Sequence, residues 1–523
     1  MHSGFTPFLP PRVAWLATAI AAGVTLFLES VLGGFRIQAS EISPLEQSSR
    51  IQRFHALCRD QGDSPPIRVV VYGQSITAQA WSGATLRQYA THHPGRQWVI
   101  ENRSVYGATA AYLERLAESD VFGFNPDLVV FHTYGDKLAY GRLLMSLRRR
   151  TTADVIVLNN HFALWDEGRF PDRGGWDMVE LPALAAASAA CVVDVRTRWR
   201  DHLLSRGLPV AALLTDPVHP NAEGQQIFSA ALFDQLASPV AQPVSDPYAG
   251  SRVRRLHREA TGPVWRVMFH GNRVVARVPT GARARVRIDG ETPSETVRGR
   301  IHGRTQGWPG TGWPFHLRVQ STMPLLDEIW TLRITEVIAP RLVRFEVRGS
   351  LTGPDGGGRS SDLFVSDSGR VVLDPRDWFW DNLFTDLAVG TEFGWRTIPQ
   401  AVDELNGQGA TGWMEVVSNL EVGEHVLELE DLTPEGAPWI EQLILHDPSR
   451  EEMIAPGTVQ QMFSQEGMLI RCSGPVEVSL DLRGWRLWDE GIAVDGGNWR
   501  RLPEVGEGTR FFRAAGEAPV QDP

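Results

Sequence analysis

The stretch Ile67-Arg68-Val69-Val70-Val71-Tyr72-Gly73-Gln74-Ser75-Ile76-Thr77 runs a β-branched segment straight into a turn of small and polar residues. A run so short and so uniformly apolar predicts a strand covered on both faces, as in a parallel sheet with helices above and below. Four more such runs follow, at 98–101, 128–132, 155–158 and 192–195. Helical patterns lie between and after them, at 79–89, 110–119, 138–149, 178–189 and 222–236. Strand alternating with helix predicts crossover units and hence a three-layer α/β domain over 50–240. Active groups in such sheets gather at the strands' C-terminal ends, where Ser75 sits.

A second stretch, Thr215-Asp216-Pro217-Val218-His219-Pro220-Asn221 followed by Ala222-Glu223-Gly224, closes the same region. It places a carboxylate and an imidazole three residues apart in a Pro-bounded turn before a helix. A serine hydroxyl is a poor nucleophile until a base takes its proton. His219 is suited to that task if its other ring nitrogen is held, and Asp216 is spaced to hold it. Should Ser75 meet this turn in space, the chain holds a nucleophile, a base and an orienting carboxylate.

These blocks resemble the SGNH/GDSL hydrolase family over roughly residues 62–240. Gly73-Gln74-Ser75 stands where the family has Gly-Asp-Ser after the first strand. Asp216 to Pro220 matches the family's Asp-x-x-His-Pro block, with Gly224 downstream. Asn102 and Gly107 match its Asn…Gly block after strand two. The resemblance implies a three-layer, flavodoxin-like α/β domain of SGNH type, with Ser75, His219 and Asp216 as its triad. It also implies that the backbone amides of Ser75 and Gly107 donate to the oxyanion. Two positions depart from the pattern. Gln74 replaces an aspartate outside the triad. In His132-Thr133-Tyr134-Gly135-Asp136, aligning Asp136 with the family's Gly-x-Asn-Asp block puts Gly135 where an Asn side chain completes the oxyanion hole. Loss of one such donor costs roughly 3–4 kcal/mol of transition-state stabilisation. Asn159, Asn160 and His161, at the next strand's end, are candidates to replace it. Together with His132 and Asp136 they are also candidate substrate-binding residues.

Beyond the Pro- and Ser-rich stretch 238–248, which reads as a linker, the rhythm changes to period two. Residues 282–288 alternate Ala and Arg before Val-Arg-Ile, and Asp289-Gly290 after them is a hairpin-turn signal. Residues 424–430 alternate with Leu427 and Leu429 inward. This half is expected to be all-β, a jelly-roll-like sandwich over 250–450 and a smaller β unit over 455–523, with 353–361 (GPDGGGRSS) a mobile loop. Twelve of the 18 tryptophans lie after residue 250. Trp308, Trp313, Trp378, Trp380, Trp485 and Trp488 are candidates for stacking on sugar rings.

A net charge of −11 and the lack of a long basic block exclude nucleic acid as the expected partner. Arg148-Arg149-Arg150 reads as the end of a helix. The apolar stretch 13–28 after Arg12 is expected to be a signal peptide or membrane anchor within 1–40, making the protein exported. Three cysteines without CxxC spacing build neither a disulfide framework nor a zinc site, although one bridge remains open. Walker, Rossmann, HExxH and EF-hand patterns are absent, so no cofactor is expected. The reading that follows is an exported esterase deacetylating a polysaccharide or other acylated carbohydrate. Its alternatives are an O-acyltransferase and a glycan-binding protein with a degenerate SGNH domain. A glycosidase would need paired carboxylates, and Asp136 has no evident partner.

Overall fold

A computed structural model describes residues 47–448 except 172–174, 241–246, 248–249, 251, 260–261, 308–312, 381–386 and 409–411. Farther on it gives the backbone of seven strands between 459 and 514. Strands β1 (Ile67–Gly73), β2 (Trp98–Asn102), β3 (Leu128–His132), β4 (Asp154–Leu158) and β5 (Cys191–Val193) form one parallel sheet in the order β2-β1-β3-β4-β5. Alternate residues serve opposite faces. Val69, Val71, Val130 and Ile156 pack with Phe54, Trp81, Trp199 and Phe228 from helices on one side. On the other face Tyr72 stacks on Phe131, whose ring lies 4.9 Å from that of Tyr140 in helix Lys137–Arg150. The α/β expectation therefore holds, and Arg148–Arg150 do form a helix's last turn.

Two helices were not anticipated, Gln52–Arg59 and Val195–Arg206. In the second, Val195, Trp199 and Leu203 make an apolar stripe one residue wide, with Arg196 buried beside it. That stripe is narrower than the usual apolar face of a surface helix. Asp194, whose side chain accepts from Thr197 N, is the stronger signal.

The later strands are antiparallel. Two four-stranded sheets, 404–406/283–288/423–431/264–271 and 412–417/273–278/442–446/253–257, face each other across Phe269, Val274, Val286, Leu427 and Leu443. Both expected alternations appear, with Ala284, Val286 and Ile288 buried on one strand and Leu427 and Leu429 on another. Asp289 and Gly290 both take positive φ, as a tight hairpin turn requires. The second sheet is buried on both sides, because Val275, Ile444 and Val253 join the core of the α/β region. Polar contacts seal the same junction. Asn272 donates to Arg150 O at 2.9 Å, and Thr152 Oγ1 lies 2.7 Å from His446 Nδ1. Residues 150–152 precede β4, so the sandwich covers the N-terminal edge of the parallel sheet.

Between residues 288 and 404 the chain builds a further unit, a five-stranded sheet 300–302/392–399/329–339/342–349/353–359 beside a three-stranded one. The expected mobile loop at 353–361 is instead strand Gly353–Arg359 at this sheet's edge. Its glycines are the reason. A Cβ at Gly357 would stand 2.4 Å from Phe345 O, and one at Gly358 2.9 Å from the Phe364 ring. Small residues here permit close pairing, and Pro354 is tolerated on an edge. This unit docks on helix Ala110–Ala117 through the Arg115–Asp377 ion pair and an edge-on contact of Tyr112 with Phe379.

Cys58 and Cys191 are free and buried. Most of linker 238–248 and the expected targeting segment 1–40 fall outside the described residues. Among the described residues no helix is long and apolar enough to cross a membrane.

Among the described residues, burial holds six histidine rings in the neutral form. Burial is the main cause, lowering His55, His132, His302 and His316 to about 4, His161 to about 3 and His446 well down. An unfolded chain takes up these protons near pH 6.5, whereas the folded one does not until about 4. Stability from this source is therefore complete above pH 6.5 and is lost as pH falls toward 4. Thermal melts at pH 7.5, 6 and 5 are expected to show a progressively lower Tm. An unchanged Tm across that range would contradict the burial of these rings.

Candidate active site

Ser75 follows the end of β1, where Gly73 lets two backbones touch. A Cβ at Gly73 would stand 2.1 Å from the carbonyl oxygen of His132 on β3. The turn beyond it is tied down on both sides. Thr77 Oγ1 donates to Gln74 O at 2.9 Å, and Asn102 Nδ2 donates to Thr77 O at 2.7 Å. Gln74 caps the short helix Ser75–Ala78, its Oε1 accepting from Ile76 N. That same oxygen lies 2.7 Å from Ser75 Oγ.

The residues 215–221 fold onto this turn. His219 Nε2 is 2.8 Å from Ser75 Oγ, and His219 Nδ1 is 2.7 Å from Asp216 Oδ2. A carboxylate only accepts, so Nδ1 carries the proton and Nε2 is left to accept from the serine. Asp216 Oδ1 meanwhile accepts from the backbone amides of Val218 and His219, at 2.9 and 2.8 Å. Those amides, then the imidazole, push the Asp216 carboxyl down to about 2. The group is nonetheless half exposed, so its tie to the ring is screened by water. Ser75, by contrast, is only 8 % exposed. This chain is the arrangement in which an imidazole can take a proton from a hydroxyl.

Several groups brace the loop from outside. His161 Nε2 donates to Val218 O at 2.7 Å, and Leu164 N donates to Pro217 O at 2.8 Å. Asn221 caps helix Ala222–Ala237 by accepting from Glu223 N and Gly224 N. Gly224 is needed because a Cβ there would lie 2.6 Å from both Leu213 O and the Trp199 ring.

The other candidates have structural partners. Asp136 caps helix Lys137–Arg150, accepting from Leu138 N and Ala139 N. Asn159 is fully buried and accepts from Val195 N and Arg196 N while donating to Asp194. Asn160 Nδ2 donates to Asp177 Oδ1 at 2.8 Å. His132 lies beneath the site, its Nδ1 3.2 Å from Gln74 Nε2. Gly107 has φ +70° within the turn 105–108, whose first residue, Val105, donates its N–H to Gly73 O. Of the tryptophans considered, Trp378 is 5 % exposed and stacks on Trp380, and Trp313 is half-buried. The side chains of Trp308, Trp485 and Trp488 lie outside the described residues. Sequence reasoning missed Trp165, which is 68 % exposed on the short helix Leu164–Arg169 that hangs on Pro217. Nothing in its local sequence separates it from a packed tryptophan.

No protein-family model and no curated protein matches the chain. Among solved structures it is similar to an acetylxylan esterase from Geobacillus stearothermophilus. The two share 16% identity over 34% of this chain and 96% of that one, with a TM-score of 0.29. A catalytic mutant of that esterase gives 17% identity over 35% and 100%, with a TM-score of 0.30. An alpha/beta hydrolase from the metagenome of Lake Arreo, Spain, gives 20% identity over 33% and 96%, with a TM-score of 0.29. Likeness at this level carries nothing about the chemistry of this chain, which rests on the site itself.

The brace from His161 is testable without any substrate. His161→Phe keeps an aromatic ring against Trp199 and Phe228 but leaves the Val218 carbonyl without its donor. Chemical denaturation should show a loss of about 1–3 kcal/mol. A variant as stable as the parent would mean that water or another group satisfies that carbonyl.

Proposed function

We propose that the protein is a serine ester hydrolase of the SGNH type that removes acetyl or similar small acyl groups from a carbohydrate. The observation that carries this reading is the unbroken chain Asp216–His219–Ser75, with links of 2.7 and 2.8 Å, at the C-terminal end of β1.

In this reading Ser75 Oγ bonds to the acyl carbon as its proton passes to His219 Nε2. Gln74 Oε1, 2.7 Å from the same hydroxyl, is a second acceptor for its one proton, so the O–H turns from Gln74 to His219 before the attack. The imidazolium is stabilised by Asp216, which stays ionised because its carboxyl is held near 2. Charge gathering on the carbonyl oxygen is met by the amides of Ser75 and Gly107. Collapse of the tetrahedral adduct expels the sugar hydroxyl, which takes the proton back from His219. Water, deprotonated by the same ring, then releases the acid and restores Ser75.

The carbohydrate part of the proposal draws support from Trp165. A tryptophan this exposed offers an apolar face beside the His219 loop, of the kind on which a sugar ring can stack. A polysaccharide substrate also fits the export expected from residues 1–40. Passing the acyl group to a second sugar would use the same machinery, and has no separate observation in its favour.

Hydrolysis of an activated acetyl ester tests the reaction. Ser75→Ala and His219→Ala should each lower kcat at least ~10³-fold with the fold intact. Turnover surviving in Ser75→Ala would end the proposal, as would a folded parent that turns over no ester. The sugar is tested separately. Trp165→Ala should raise KM for acetylated oligosaccharides several-fold while leaving the small activated ester unaffected. Equal KM values on the oligosaccharides would remove Trp165 from the binding surface.

A further inference from the structure

The segment leaving β2 carries one peptide that is gripped at both ends. Its N–H, that of Ser104, donates to Asn102 Oδ1 at 3.0 Å. Its carbonyl, that of Arg103, accepts from Nη2 of Arg304, which belongs to the unit inserted between residues 288 and 404. The same guanidinium pairs with Asp120, Nε donating to Oδ1 at 2.9 Å and Nη2 to Oδ2. Asp120 is 1 % exposed, so its charge lies buried at the junction, with Arg304 as the cation paired to it. That pairing fixes the guanidinium, because moving it away would leave a buried carboxylate without its partner. Arg103 is tied to the same place by its side chain, which donates to Ser119 O and Asp120 O at 3.0 and 3.2 Å.

From that peptide, hydrogen bonds lead without a break to the nucleophile's turn. Ser104 Oγ donates to Thr77 Oγ1 at 2.9 Å, and Thr77 Oγ1 donates in turn to Gln74 O at 2.9 Å. Gln74 O belongs to the peptide that joins Gln74 to Ser75. A second path runs through Asn102, whose Oδ1 accepts from Ser104 N while its Nδ2 donates to Thr77 O at 2.7 Å. Both paths end on the short helix Ser75–Ala78, and both begin at the peptide that Arg304 holds. A peptide's carbonyl and N–H share one plane. Turning the one away from Arg304 therefore takes the other off Asn102, and loosens the residue whose hydroxyl serves Thr77.

We propose that Arg304 is a positioning residue for Ser75, through which the inserted unit contributes to the reactivity of a site built on the α/β domain. The chemical consequence rests on the ester-hydrolase reading. The linkage acts on where Ser75 Oγ stands relative to His219, so its loss should appear in kcat, since a small displacement of a reacting group slows attack without unfolding anything. The loss is partial. Ala78 N still donates to Gln74 O at 3.0 Å, and Gln74 Oε1 still caps the helix at Ile76 N.

The test separates the buried charge from the grip on the peptide, with Ser75→Ala establishing first that the measured turnover belongs to the site. Arg304→Met in the full chain should lower Tm, as loss of any buried ion pair would. The double variant Asp120→Leu/Arg304→Met removes both charges and should recover most of that Tm, while the Arg103 carbonyl still lacks its donor. Its kcat on an activated acetyl ester should nevertheless stay roughly tenfold below the parent, with KM unchanged. Ser104→Ala, which cuts the path nearer Thr77, should lower kcat in the same sense. Added to the double variant it should cost less than the product of the two effects, because both act on one path. Recovery of kcat along with Tm in the double variant would overturn the proposal, as would a change confined to KM. A readout independent of turnover separates failure of the linkage from failure of the functional reading. Amide hydrogen exchange at Ala78, whose N–H is bonded to Gln74 O, should quicken in the double variant even if the parent hydrolyses no ester. An unchanged rate there refutes the linkage.

Discussion

Asp216 divides its carboxylate between two tasks, and the site's geometry depends on that division. One oxygen folds the loop by accepting the amides of Val218 and His219, while the other holds the imidazole of His219. The first task fixes where the ring begins, and the second fixes which of its nitrogens faces Ser75. The backbone amides contribute more than the ring to keeping the carboxyl ionised. In the proposed mechanism, an orienting acid that is half exposed can work on these terms. Its charge is secured by its own loop and needs no dry pocket, at the cost of a weaker pull on the imidazolium.

Support for that loop spreads outward through ordinary packing. His161, neutral because it is buried, reaches the Val218 carbonyl, and Gly224 lets helix Ala222–Ala237 lie flush on Trp199. On the opposite side of Ser75, Gly73 allows β1 and β3 to close to backbone contact. The β units are placed differently. The sandwich covers the sheet's N-terminal edge, away from Ser75, whereas the unit inserted between residues 288 and 404 grips helix Ala110–Ala117. That helix starts three residues after Gly107, so the inserted unit steadies the segment leading away from the turn.

The parallel sheet was legible because its strands need apolar residues on both faces, which leaves a run with no competing period. The approach of Ser75 and His219 was legible only through matching blocks, since nothing local requires residues so distant in sequence to meet. Less could be read at the strand ends. Asp136 and Asn159 sit where binding groups would, yet Asp136 caps the helix that follows it and Asn159 accepts the first amides of the more distant Val195–Arg206, and one residue type serves both ends equally well. Val195–Arg206 hid because its apolar stripe is three residues spaced by four among charges, one of which, Arg196, is itself buried. The glycines of 353–359 signalled freedom in isolation and close pairing in context.

The insertion between residues 288 and 404 also orders events in time. Strand 264–271 finds its partner only in 423–431, and 273–278 is flanked by 412–417 and 442–446. As the chain emerges from the ribosome, half of the sandwich must wait for the whole inserted unit before it can close. During that wait the faces carrying Phe269, Val274 and Val286 have nothing to cover them. Folding of the inserted unit brings 288 and 404 together and shortens the loop that the sandwich must close. The accessory unit thereby acts as a splint during assembly, and the sandwich inherits a slow, aggregation-exposed interval from the place where its chain is interrupted.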